Sequence, residues 1–205
     1  LGVRLAPAMV PMTGLRLIDD TGGLWRAPEI LFRAEELGFE QFGINIDNAA
    51  LNTALLAAAR DQAGLQLIED TVAPGFALDQ DTAAVRLSNG GLISARLIIG
   101  ADGRGSLCRR EAGIEAHTNP YPQSAVATRF HHARPHDGIS SEFHRPAGPL
   151  TTVPLIGLES SLVWVETPEE ARRLMALGEA GFIQTLDDRL QGLLGAVTTI
   201  GPRAS

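Results

Sequence analysis

The residues best suited to chemistry lie in the segment GADGRGSLCRR, residues 100–110. Asp102 carries a carboxylate that can accept a hydrogen bond from a ribose hydroxyl, and Arg109 can meet phosphate charge. Gly103 lets the backbone approach a pyrophosphate closely, and Ser106 can cap a following helix. The pattern is typical of a nucleotide-binding turn, although an Asp-Gly pair is also common in ordinary turns.

Regular elements on either side must position these residues. The apolar run at residues 97–99 predicts a strand that is buried on both faces. The glycine-rich turn at 100–105 follows it, and residues 107–112 predict a short helix that ends before Gly113. Strand, turn and helix start are the parts from which proteins build phosphate sites.

The rest of the chain alternates between strand and helix patterns. A helix is predicted over residues 49–62, and Asp47 or Asn48 can cap its start. The capping-box pattern Thr167 to Glu170 predicts a second helix, and a third follows it. Strands are predicted over residues 15–19, 30–34, 65–70, 71–79, 83–88, 124–130, 140–145, 149–156 and 160–166.

The segment GADGRGSLCRREAGI resembles the middle Asp-Gly fingerprint of flavoprotein aromatic hydroxylases. Asp102, Gly103, Ser106 and Arg109 occupy the fingerprint positions. The resemblance implies that they lie beside the flavin pyrophosphate and help to handle the reduced nicotinamide cofactor. Gly105 replaces the polar or charged residue often found there, so we do not expect a tight NADPH clamp.

Three further segments resemble the ubiquinone-biosynthesis branch of these monooxygenases, and the resemblance runs from about Gly14 to the end. INIDNAALNTALLAAA resembles a box beside the flavin, which implies that Asn48 contacts the cofactor. TVAPGF resembles a segment whose valine backbone meets the adenine, which implies Val72. The stretch from HARPHDGISSEFHRPAGPLTTVPL to GPRAS resembles the substrate domain of that branch.

The resemblance implies an α/β (α+β) fold of the p-hydroxybenzoate-hydroxylase-like type. We expect substrate-domain strands and a linker at 1–46, a partial FAD-binding domain at 47–116, and a mostly antiparallel substrate-domain sheet with helices at 117–205. The GxGxxG turn and the later Gly-Asp box of the family do not occur in the sequence. We therefore expect an internal piece of the enzyme that binds FAD weakly or not at all.

The implied activity is hydroxylation of a polyprenylated phenol with FAD, NAD(P)H and O2. In such enzymes the flavin, rather than a side chain, performs the oxidation chemistry. The sequence accordingly identifies no catalytic residue. Apolar strands at 149–155 and 162–165 are the candidates for the substrate side. A small aromatic acid would instead need a cation in the pocket, for which Arg129 and Arg145 are the nearest arginines.

Composition narrows the classes of partner. A net charge of −7 argues against a nucleic-acid surface. The single cysteine, Cys108, cannot form an internal disulfide, which suits a reducing cytoplasm. The histidines at 131, 132, 136 and 144 have no acidic or cysteine partner at ligand spacing, so we expect no metal site.

Other functions remain open from the sequence. The same fold serves hydroxylases, halogenases and reductases that act on small aromatic molecules. A non-catalytic accessory protein that binds a quinone or lipid is a second alternative. Peripheral association with a membrane or a biosynthetic complex is compatible with a hydrophobic substrate, and the sequence does not indicate the oligomeric state.

Overall fold

The computed structural model describes residues 2–78 and 82–205, and it divides into two compact units. Of the described residues, 2–58 and 121–205 form the first unit, and 59–78 and 82–120 form the second. The unit boundaries thus fall at 58/59 and 120/121, whereas the sequence-based domain boundaries lie at 46/47 and 116/117. Residue 79, the last of a predicted strand, lies outside the described residues.

The first unit is built on a seven-stranded sheet with the strand order β12-β8-β11-β10-β9-β2-β3. Neighbouring strands are antiparallel except β2 and β9, which pair in parallel from Gly14↔Ile139 to Asp19↔His144. This pairing joins segments that are more than a hundred residues apart in sequence. The strands are β2 (Gly14–Asp19), β3 (Ile30–Arg33), β8 (Ser124–His132), β9 (Ile139–His144), β10 (Leu150–Pro154), β11 (Glu159–Glu166) and β12 (Val197–Ile200).

One face of this sheet is covered by two helices, α4 (Pro168–Ala176) and α5 (Glu179–Leu190). Thr167 caps α4 as predicted, because its hydroxyl accepts a hydrogen bond from Glu170 N at 3.3 Å. Strand residues at alternate positions point toward the helices, as a period of two requires. The core consists of Val126, Phe130, Phe143, Leu150, Leu162, Trp164 and Val197 from the sheet, Ala171, Leu174, Phe182, Leu186 and Leu190 from the helices, and Leu194 from the segment after α5.

The opposite face of the sheet, which we call the open face, is less covered. Val163 is 39% exposed there, and Arg129 is also exposed. A two-stranded ladder of β1 (Met9–Met12) and β4 (Gly43–Ile46) belongs to the same unit. The helix α2 (Asn48–Asp61) begins directly after β4 and continues into the second unit. The described residues also form a short helix, α1 (Gly2–Leu5), and the 3-10 turns Ala6–Ala8 and Ala34–Leu37.

The described residues of the second unit form an antiparallel meander and a short helix. The meander consists of β5 (Gly75–Leu78), β6 (Ala83–Arg86) and β7 (Leu92–Ala95), and the helix is α3 (Leu107–Glu111). No helix in the described part of the chain is long and apolar enough to cross a membrane.

Two strand predictions in the second unit are wrong. Residues 65–70 and 97–99 are apolar enough for buried strands but have no strand partner among the described residues. Leu97 and Ile99 are 72% and 81% exposed, and Leu65 is 51% exposed. An apolar run forms a strand only where another strand satisfies its backbone N–H and C=O groups, so these segments stay irregular.

Candidate functional site

The start of α2 faces a cleft on the open side of the sheet. Asp47 caps the helix, because its Oδ1 accepts hydrogen bonds from Ala49 N at 2.9 Å and Ala50 N at 3.0 Å. Asn48 is therefore not the cap. Its side chain is exposed and has no hydrogen-bond partner among the described residues, so the amide is available to a ligand.

The cleft, which we call the Arg129 cleft, has a volume of about 440 Å³. Arg129 rises from β8 and forms an ion pair with Asp47 Oδ2, so the arginine charge is neutralised inside the chain. The Asn45 side-chain amide donates to Pro154 O at 3.3 Å. The cleft is lined by Ile44, Asn45, Ile46, Asp47, Asn48, Arg129, Val153, Leu155 and Ser161. Polar and apolar side chains thus share the lining, and its one arginine is already paired.

Arg145 lies elsewhere, in the interior beside the core residue Trp164. Its side chain is 8% exposed, and its Nη2 lies 2.6 Å from Glu166 Oε1. The Trp164 indole N–H donates to the same oxygen at 3.0 Å, and the guanidinium lies 5.7 Å from the indole ring centre. Asp20 adds a second carboxylate 3.6 Å from Nε. The guanidinium of Arg145 is thus already paired with the carboxylates of Glu166 and Asp20.

Within the second unit, Asp102 organises the turn that precedes α3. Its Oδ1 accepts from the Ser106 hydroxyl at 2.6 Å, and its Oδ2 accepts from Cys108 N at 3.0 Å. These two hydrogen bonds, the Ser106 bond first, lower the pKa of Asp102 from 3.8 to about 2. The side chain is nevertheless exposed. The carboxylate is therefore both held by the turn and accessible from solvent.

The other predicted residues of this turn fall into two groups. Ser106 is buried, and its oxygen also accepts from Arg109 N at 2.9 Å, so it caps α3 and holds Asp102 in place. Gly103 has φ +82°, a conformation that favours glycine. Arg109 donates one N–H to Arg104 O at 3.0 Å, and a guanidinium has five. Ser106 and Gly103 therefore shape the turn, Asp102 lies exposed within it, and Arg109 keeps further N–H donors. Contact of Asp102 and Arg109 with a cofactor stays a prediction.

Val72 forms part of a different backbone arrangement in the second unit. Its N–H donates to Ser88 Oγ at 3.1 Å, and its carbonyl accepts from Ser88 N at 2.8 Å. The carbonyl oxygen keeps a second lone pair. Contact between the Val72 backbone and an adenine, which stays a prediction, would therefore use this carbonyl.

The histidines form structural hydrogen bonds. His132, 2% exposed, donates Nδ1–H to Arg134 O at 2.7 Å, because a carbonyl oxygen only accepts. Its Nε2 then accepts from the Ser160 hydroxyl at 2.9 Å. Burial lowers the pKa of His132 below its usual value of 6.5. The His136 Nε2–H donates to Leu155 O at 2.8 Å. No group of three metal-ligating side chains occurs in residues 2–78 and 82–205.

The predicted cofactor residues are divided between the units. Asn48 belongs to the first unit, and Val72, Asp102, Gly103, Ser106 and Arg109 belong to the second. Sequence reasoning missed Asp47 as the partner of Arg129, which lies 82 positions away in sequence. An acidic residue at a helix start is explained by capping alone, so the sequence carries no signal for this ion pair.

The chain is similar in sequence to curated hydroxylases of ubiquinone biosynthesis. It is 34% identical over 195 residues to ubiquinone hydroxylase UbiL of Rhodospirillum rubrum. The aligned region covers 95% of this chain and 44% of the relative. The chain is 29% identical over 181 residues to 3-demethoxyubiquinol 3-hydroxylase of Escherichia coli. This aligned region covers 88% of this chain and 46% of the relative. The chain thus spans about half the length of the curated relatives it matches.

Solved structures show the same fold. A PqsL structure from Pseudomonas aeruginosa matches with a TM-score of 0.76 at 22% identity, over 93% of this chain and 51% of PqsL. Klebsiella pneumoniae HpxO, complexed with FAD, matches with a TM-score of 0.66 at 17% identity, over 99% of this chain and 54% of HpxO. These matches confirm the predicted mixed α/β fold with mostly antiparallel sheets. The model of the FAD binding domain family matches residues 46–174, and the chain belongs to that family.

Proposed function

We propose that the protein containing this chain is an FAD-dependent monooxygenase that hydroxylates a polyprenylated phenol in ubiquinone biosynthesis, with NAD(P)H and O2 as co-substrates. Family membership supports the flavin. The names of the relatives from R. rubrum and E. coli support the pathway and a hydrophobic phenol or quinone precursor. A lipid-like substrate also implies contact with a membrane surface or a complex that delivers it.

Each unit by itself carries groups that suit part of an FAD molecule. In the first unit, the unpaired Asn48 amide suits a polar group of the cofactor. In the second unit, the exposed Asp102 carboxylate and the Arg109 guanidinium suit hydroxyl and phosphate groups. Gly103 and Ser106 would maintain the turn, and Val72 would offer its carbonyl. When bound, the flavin supplies the reduction of O2 and the transfer of one oxygen atom to the ring. The chain itself must orient the ring and exclude water.

The observation that carries the choice of substrate is the neutralisation of both candidate arginines. Arg129 pairs with Asp47, and Arg145 is buried against Glu166. A carboxylated ring would lose its hydration on entering the cleft and would need an unpaired cation in return. Because Arg129 is already paired, the Arg129 cleft favours an uncharged phenol over a small aromatic acid.

A direct comparison of substrates tests this proposal. The full-length protein is reconstituted with FAD, and NAD(P)H consumption and hydroxylated product are measured with a farnesylated phenol and with para-hydroxybenzoate. We expect coupled product formation from the farnesylated phenol and none from para-hydroxybenzoate. Efficient hydroxylation of para-hydroxybenzoate alone would contradict the proposal, and absence of any flavin-dependent turnover would favour an accessory role.

A further inference from the structure

The open face of the sheet carries an apolar groove at its β2–β3 edge. The groove has a volume of about 330 Å³, which is within the range of small-molecule sites. Leu17 of β2 and Ile30 of β3 form its floor as register partners, and Ala27 and Pro28 of the connecting loop form a wall. Ile30 is 48% exposed although β3 belongs to the main sheet. We call this feature the edge groove.

Strand register places the edge groove on the same face as the Arg129 cleft. One row of register partners crosses the sheet through Ile30, Leu17, Glu142, Thr151, Val163 and Ala127. The neighbouring row, two residues away along the strands, contains Val153, Ser161 and Arg129 of the cleft. Residues two apart on a strand share a face. Leu17 and Thr151 are two strand spacings apart, about 10 Å.

The polar groups beside the groove are already engaged within the protein. Asp19 accepts from Ala27 N at 2.8 Å and from the backbone and hydroxyl of Thr21 at 3.0 and 2.7 Å. These bonds, the Ala27 bond first, lower its pKa to about 2. His144 lies 3.2 Å from Glu142. The groove therefore offers apolar surface rather than partners for a polar ligand.

We propose that the edge groove binds the isoprenoid tail of the substrate while the phenol ring lies in the Arg129 cleft. This inference rests on the proposed function. The choice of occupant follows from three observations. The groove is apolar, and its polar neighbours are paired. It also lies on the same face as the cleft, two strands and one row from Val153. Each methylene of the tail that becomes buried improves the affinity roughly fourfold.

Binding measurements on the full-length protein test the groove separately from catalysis. The probes are ortho-farnesylphenol, phenol and farnesol, measured by equilibrium dialysis. The test variant is Ile30→Asp, and the matched control is Ile156→Asp, which changes an isoleucine that is 61% exposed outside the groove. Both positions are exposed, so both variants should fold, which equal melting temperatures would verify.

We expect Ile30→Asp to weaken the binding of ortho-farnesylphenol and farnesol at least tenfold and to leave the binding of phenol unchanged. The control variant Ile156→Asp should bind all three probes like the unaltered protein. Unchanged farnesol binding in Ile30→Asp would overturn the inference. So would a dimer that Ile30→Asp dissociates without affecting the tail, because the edge would then be an interface between copies. If farnesol binding depends on Ile30 but no prenylphenol is hydroxylated, the groove stands and the proposed function fails.

Discussion

Replacing Asp47 with asparagine separates the two roles of this side chain. One carboxylate oxygen caps α2 through Ala49 N and Ala50 N, and the other pairs with Arg129. An asparagine side chain keeps an oxygen acceptor and caps helices as well as aspartate does. Asp47→Asn should therefore retain the cap and remove the ion pair. Asp47→Ala should remove both.

We expect both variants to lower the free energy of unfolding only slightly, Asp47→Asn less than Asp47→Ala. The side chains of Arg129 and Asp47 are 46% and 31% exposed, and solvent screens such pairs to about 0.2–1 kcal/mol. Asp47→Asn should thus lower the free energy of unfolding by at most about 1 kcal/mol. Asp47→Ala should cost about 1 kcal/mol more, because the cap is also lost. Urea titration of the two variants measures both differences.

The functional consequence of Asp47→Asn is a gain in binding. Arg129 loses its carboxylate partner and becomes available to an anionic ligand in the cleft. A hydrogen bond to a charged group contributes about 1.5–3 kcal/mol. After allowance for exposure, we expect para-hydroxybenzoate to bind roughly tenfold tighter to Asp47→Asn than to the unaltered protein, or about 1.4 kcal/mol.

Calorimetric titration with para-hydroxybenzoate checks this expectation, and the double variant Asp47→Asn/Arg129→Gln is the control. The gain should disappear in the double variant, because the arginine that provides it is gone. If Asp47→Asn binds the acid no better, or if the gain persists without Arg129, then neutralisation of Arg129 does not determine ligand charge in this cleft.

Three further predictions concern the flavin residues and pH. Asn48→Ala and Asp102→Ala in the full-length protein should lower FAD content at purification, and Asn48→Ala should leave the melting temperature nearly unchanged because Asn48 is not the helix cap. Ser106→Ala should lower the free energy of unfolding by about 1 kcal/mol in urea titration, since the cap of α3 and the bond to Asp102 are lost. The lowered pKa of His132 means that the unfolded chain binds a proton more readily than the folded one, so stability should fall as the pH drops below 6.5. Replacing His132 with glutamine should flatten this part of the pH profile of the melting temperature.

Local sequence patterns predicted two kinds of element. One kind has hydrogen-bond partners a few residues away, and the other shows a clear periodicity of apolar residues. β8 alternates between buried and exposed residues, and the Thr167 cap and helix α4 follow the capping pattern. The turn around Asp102 also matches its sequence pattern, because Ser106 caps α3 by accepting a hydrogen bond from the backbone N–H three residues on. These features depend on contacts within a few residues, which spacing alone reveals.

Features that depend on distant partners were not predictable. The run at 97–99 has the composition of a buried strand, yet it is exposed because no strand of the described chain pairs with it. The parallel pairing of β2 with β9 and the ion pair between Asp47 and Arg129 join remote segments. Composition does not encode which remote segments meet. The Arg129 cleft and the edge groove both arise from such pairings.

Deleting the gene of the whole protein and analysing the extracted quinones by mass spectrometry tests whether the protein hydroxylates a polyprenylated phenol. We expect an under-hydroxylated prenylphenol to accumulate. The intact gene should restore the normal quinone profile, and a gene with Asp102→Ala should restore it poorly. A normal quinone profile in the deletion strain, together with lost growth on a simple aromatic acid, would contradict this expectation.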